Sequence, residues 1–109
     1  MHLSPFNFQA LSWEVIPKEE RTAEAGRVFW QTIFMNDVRV RKVEYTPGYK
    51  SDHWCKKGHV LLCMEGELTT DLDNGNSFTL TAGMFYLVGD NCEAHRSHSE
   101  KGCILFIVD

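Results

Sequence analysis

His53, Cys55 and His59 place three potential metal ligands within seven residues, in the run Ser51-Asp-His-Trp-Cys-Lys-Lys-Gly-His59. Imidazole and thiolate together suit zinc, iron, copper and nickel, and a thiolate shifts the preference towards softer ions. The expected cofactor is a divalent transition metal, with zinc, iron or copper favoured over manganese. His53 and Cys55 are two apart, so an extended strand would project both to one face. His59 follows a Lys56-Lys57-Gly58 turn and can meet them from the next strand. A fourth candidate, His95, lies downstream in Ala94-His-Arg-Ser-His98.

The neighbours carry weaker signals. On a strand Asp52 points away from His53, so it suits orienting an imidazole rather than binding an ion. Lys56 and Lys57 read as a solvated turn that would lower the Cys55 thiol pKa if no metal were bound. Trp54 reads as core or barrel wall. Tyr45, Phe85, Tyr86 and Arg96 are candidates to line a barrel mouth, Cys92 and His98 flank His95, and Glu65 and Glu67 face solvent.

Something must hold these side chains together, and 109 residues suffice for one domain with its own core. A metal would then serve chemistry or local order rather than rescue the fold. The net charge of -4 speaks against a nucleic-acid module. In the longest basic run, Arg39 and Arg41 alternate with Val38 and Val40, which puts the charges on the wet side of a strand. No apolar stretch reaches the length of a membrane span, and Met1-His-Leu-Ser-Pro lacks a signal-peptide pattern. The expected location is the cytoplasm, with the four cysteines reduced. No Cys-x-x-Cys pair is present, which excludes a zinc ribbon or a thioredoxin motif. Cys63 and Cys103 sit among aliphatic residues and read as small buried hydrophobes.

About eight short strands are expected. Residues 1–10, with His2, Pro5, Phe6 and Phe8, form an N-terminal arm, and Trp13-Glu-Val-Ile begins an alternating segment that Pro17 ends. Lys18 to Gly26 is an exposed loop, because no apolar stripe gives a helix anything to pack on. Strands are expected in 28–35 and 38–45, with a turn at Asn36-Asp37. Another begins at His59, is interrupted at Gly66 and continues in period two. Asp73-Asn74-Gly75 is the strongest hairpin signal, and further strands are expected at 77–80, 84–88, 95–98 and 103–108. Strand and turn spacings of this kind predict an all-β sandwich or barrel. The domain divides into 1–26, an arm, strand and loop, and 27–109, the barrel with the ligand residues.

Gly48, His53, Cys55, His59 and Gly66 resemble the first motif of the cupin superfamily, a glycine, His-x-His, three residues, Glu, six residues and a glycine. Gly83, Gly89, Asn91 and His95 follow the second motif loosely. Ser51-Asp-His-Trp-Cys55 also resembles a small cupin subfamily with an Asp-His-Cys-Trp-type motif. The resemblance implies a double-stranded β-helix, or jelly roll, with His53, Cys55, His59 and His95 projecting into the barrel mouth. It further implies a homodimer and metal-dependent chemistry on a small organic molecule in an apolar pocket, with catalytic residues unassigned. The alternative is a non-enzymatic cupin with a structural metal or a sensing role, and a third class uses Cys55 as a redox thiol without metal. Cys55 stands where the motif holds histidine, and whether it binds the ion separates a closed site from an open one.

Overall fold

The computed structural model describes residues 3–109. His2, assigned to the N-terminal arm, lies outside the described residues. Nine strands follow in order: β1 (Glu19–Arg21), β2 (Val28–Met35), β3 (Val38–Tyr45), β4 (Tyr49–Lys50), β5 (His59–Leu72), β6 (Ser77–Thr81), β7 (Phe85–Val88), β8 (His95–Ser99) and β9 (Cys103–Val108). Every pairing is antiparallel.

The β2–β3 hairpin forms as its sequence dictates. Asn36 adopts φ 57, a left-handed conformation that asparagine tolerates better than most residues, and Met35 pairs with Val38. Asp73-Asn74-Gly75 likewise closes the β5–β6 hairpin, where the Asn74 side chain accepts from the Asn76 N–H.

The sheet runs β1-β2-β3-β9-β5-β8-β4, with β6 and β7 also paired to β5. One layer contains β1, β2, β3, β9, β7 and the first half of β5; the other contains β4, β8, β6 and its second half. Between the layers lies a core that includes Val28, Val43, Leu61, Leu68, Leu80 and Leu105.

Three expectations need correction. Gly66 does not interrupt its strand: β5 runs through it for fourteen residues, with a register shift between Cys63 and Glu65. Gly66 has φ 79, and a Cβ there would lie 2.1 Å from the Gly102 carbonyl oxygen, so only glycine lets the two backbones approach. Trp13–Val15 is a 3-10 turn rather than an alternating strand. Gln31 explains it: its side-chain amide donates to the carbonyls of Trp13 (2.7 Å) and Ile16 (2.8 Å), binding backbone that a ladder would have used. Lys18 to Gly26 is not all loop, because β1 pairs with β2 there. Its three residues are exposed, so no apolar pattern betrays the strand.

Candidate metal centre

Two strands and one loop deliver the ligand-type atoms. His59 opens β5 and points inward, as do Leu61 and Cys63 two and four residues on. His95 opens β8 and is 4% exposed. Cys55 lies in an irregular stretch and is tied to His95 by an isolated bridge, its N–H donating to the His95 carbonyl (2.7 Å) and its carbonyl accepting in return (2.9 Å).

The two Nε2 atoms of His59 and His95 stand 2.8 Å apart, and Cys55 Sγ lies 3.9 Å from His59 Nε2. Ligand atoms of all three residues fall within 4.8 Å of one another, a group that can hold a metal ion. The rings meet edge-on, their centroids 4.9 Å apart.

The outer nitrogens explain this orientation. His95 Nδ1 lies 3.0 Å from the Glu93 carbonyl, which can only accept, so Nδ1 carries the proton. His59 Nδ1 lies 3.0 Å from Asp109 Oδ2 and donates in the same way. In the neutral rings both Nε2 atoms then present lone pairs to each other. Two lone pairs at this distance repel unless a positive centre, a proton or a metal ion, lies between them. This donor set fits a soft or borderline divalent ion.

The charges agree with that reading. Hydrogen bonding to His59, then to His95, holds the Cys55 thiol down to about 5 against the opposing effect of burial. Burial alone would lower the His59 pKa, but Asp109 and Cys55 outweigh it and raise the value. His95 is raised chiefly by Cys55.

Asp109 is the residue that sequence reasoning missed. Its side chain is completely buried and accepts from Arg39 Nε (2.9 Å), Arg39 Nη2 (3.0 Å) and Arg41 Nη2 (3.0 Å) as well as His59. Burial favours its neutral form, yet His59 and Arg39 by hydrogen bonding, and both arginines by charge, hold it well below the usual carboxylate range. A usable signal was present: Cys103, Leu105 and Ile107 alternate inward, and the same period carries Asp109 to the interior. Arg39 and Arg41 correct a related expectation. They face the barrel interior rather than water, because Asp109 is there to receive them.

His53 stands apart from the group. Residues 52 and 53 form a bend, so the rule that places residues two apart on one face does not operate. Its Nδ1 pairs with Asp52 Oδ1 at 2.8 Å, and its side chain is 69% exposed. Asp52 does orient an imidazole, but one outside the cluster. Trp54 is exposed rather than core. Tyr45, Tyr86 and Arg96 line the cavity, whereas Phe85, alternating with Tyr86, points outward. His98 pairs with Asp71 (3.4 Å) and Cys92 is exposed. All four cysteines are free, with Cys63 and Cys103 buried.

The group opens into a cavity of about 1160 Å³ at the barrel mouth. Its walls are mixed rather than apolar: Leu61 and Ile107 alternate with Arg39, Arg41, Ser97 and Arg96.

No family model matches the chain, and no curated protein matches its sequence. Solved structures do. An RmlC-like cupin from Shewanella frigidimarina is 22% identical, with 94% of this chain and 89% of that one covered at a TM-score of 0.75. The fold is a cupin jelly roll. The same fold relates the chain to an ectoine synthase from P. lautus, at 17% identity, coverage of 93% and 76%, and a TM-score of 0.76. It also relates it to a sugar phosphate isomerase of the cupin superfamily from Silicibacter pomeroyi, at 15% identity, coverage of 92% and 74%, and a TM-score of 0.73. Among the described residues no helix is long and apolar enough to cross a membrane.

Proposed function

We propose that this cupin binds one divalent transition metal through Cys55, His59 and His95 and presents it to a small organic molecule in the barrel mouth. The observation that carries the reading is the meeting of the three ligand atoms in the wall of an open cavity, with His53 on its exposed rim, paired to Asp52 and outside the group. Three protein ligands leave a coordination position for water or substrate, the arrangement of a reactive rather than a closed structural site. When bound, such an ion supplies Lewis acidity at that position. Asp109 and the Glu93 carbonyl hold the two imidazoles in the tautomer that offers Nε2, and the half-buried Cys55 offers a thiolate. Ectoine synthase and sugar phosphate isomerase, the names of two similar folds, support small-molecule chemistry on a fold of this kind.

The finer likeness to the Asp-His-Cys-Trp-type cupins rests on Ser51 to Cys55 and belongs to this proposal. So do cytoplasmic residence, supported by four free cysteines, and a homodimer. The dimer is supported by Val60, Phe85 and Leu87, exposed apolar residues on neighbouring strands; sedimentation as a monomer would remove that part.

Elemental analysis of purified protein tests the main reading. Wild type and His53→Ala are expected to retain about one ion per chain, and Cys55→Ser, His59→Ala and His95→Ala to lose it. Absence of metal from wild type across zinc, iron and copper loading would falsify it. The low thiol pKa favours a second reading, in which metal-free Cys55 is a reactive nucleophile. Alkylation separates the two: a metal ligand is protected by zinc, whereas a free thiolate reacts equally fast with or without it.

A further inference from the structure

We propose that the arginine-lined wall beside the ligand group is an anion subsite, and that the molecule taken up next to the metal is a small organic oxyanion gripped by Arg41. The inference deepens the metal-centre reading by naming a substrate class. It rests on that reading for its place in the chemistry but not for its test.

Arg41 is the anchor. Its side chain is 6% exposed, and Nη2 has a protein acceptor, Asp109 Oδ2. Its Nε is buried with no partner. A guanidinium carries five N–H donors, and one buried without a partner, as at Nε, is costly to keep. Burial, then the nearby Arg39 charge, disfavours the charged form of Arg41, and an added anion would oppose both effects.

The surroundings accumulate positive charge. The guanidiniums of Arg21, Arg39 and Arg41 sit 4.6, 5.1 and 4.3 Å from the centre of the Trp30 ring. All four residues line the cavity. Against these three charges stand the buried Asp109 carboxylate, which Arg39 already engages twice, the exposed Glu19 on Arg21, and two further carboxylates that line the cavity, Glu20 and Asp52, which are paired with Arg27 and His53. Three guanidiniums gathered on one ring make a local positive patch in a concave wall, and the planar fork of arginine matches carboxylate and phosphate oxygens. Asp109 Oδ2 lies 3.0 Å from both His59 Nδ1 and Arg41 Nη2. One oxygen thus joins the anion subsite to the ligand group.

Calorimetric titration with benzoate, phenyl phosphate and neutral benzamide tests the assignment, on zinc-loaded and on chelator-treated protein. At least one anion is expected to bind about tenfold or more tighter than benzamide in both forms, and the stronger anion tells carboxylate from phosphate. Arg41→Gln is expected to abolish the preference while leaving zinc content unchanged. Arg41→Lys, which keeps the charge opposite Asp109 should the first variant fail to fold, is expected to weaken anion binding about fivefold or more, since a point charge replaces the fork. Three results overturn the proposal: no anion preference at up to about 10 mM ligand, a preference unchanged in the folded Arg41 variants, or one that disappears with the metal. Anion preference without zinc binding sinks the metal reading alone, and zinc binding without the preference sinks the subsite alone.

Discussion

His59 and His95 reach the site from regular strands, whereas His53 and Cys55 come from an irregular loop, and the two pairs behave differently. Each strand histidine has its backbone fixed by a ladder and its outer nitrogen fixed by an acceptor, Asp109 or the Glu93 carbonyl. Of the loop pair, Cys55 is brought in by one isolated bridge to His95, and His53 leaves for Asp52 and solvent. A ligand's place is therefore set less by its spacing in the chain than by what holds the backbone on either side of it.

The largest test of this contrast removes the strand side's support. Asp109→Asn leaves two arginines facing a neutral amide in a buried site, and such losses cost about 3–5 kcal/mol. The same change is expected to weaken metal binding about 10–100-fold by freeing the His59 ring. Urea unfolding and zinc competition with a chelator measure the two effects; a cost under about 1 kcal/mol would show that Asp109 is not the pivot.

Next in size comes Gly66→Ala. It forces a left-handed backbone on alanine and drives a Cβ into the Gly102 carbonyl, for about 2–4 kcal/mol. An unchanged urea midpoint would argue that β5 can pass Gly102 by another path.

Acid probes the same carboxylate. Its pKa is lower folded than unfolded, so its contribution is fully present above the ordinary carboxylate range near about 4 and is lost as pH falls towards the folded value. Metal-free wild type is expected to lose more stability than Asp109→Asn between neutral pH and roughly pH 3. Parallel urea midpoints over that window would contradict it.

The smallest effects belong to the loop. His53→Ala and Asp52→Ala break an exposed pair and are expected to change stability by less than about 0.5 kcal/mol. Metal affinity should stay within about threefold, because neither side chain belongs to the ligand group. A tenfold loss in His53→Ala would return that residue to the ligand set.

Much of the fold was legible because alternation and turn chemistry are local. Val28 to Tyr45 contains its own strands and its own turn, and Asp73-Asn74-Gly75 announces its hairpin. The site was legible only in part. Cys55, His59 and His95 show by residue type, but the face on which His53 lies depended on a strand that is not there. Arg39 and Arg41 looked solvated because their counter-ion, Asp109, is some seventy residues away. Charge burial depends on partners, and partners distant in sequence leave no local pattern.

β5 has one more consequence. His59 lies at one end of it, and His95 pairs with Leu72 at the other. Drawn out straight, the strand would separate those ends by roughly 43 Å, yet the two rings meet. The width of the site is thus governed by the curvature of a single strand, as the gap of a caliper is by its hinge. Changes far from the cavity, at the bulge or at Gly102, can alter the spacing of the ligand-type atoms without touching any of them.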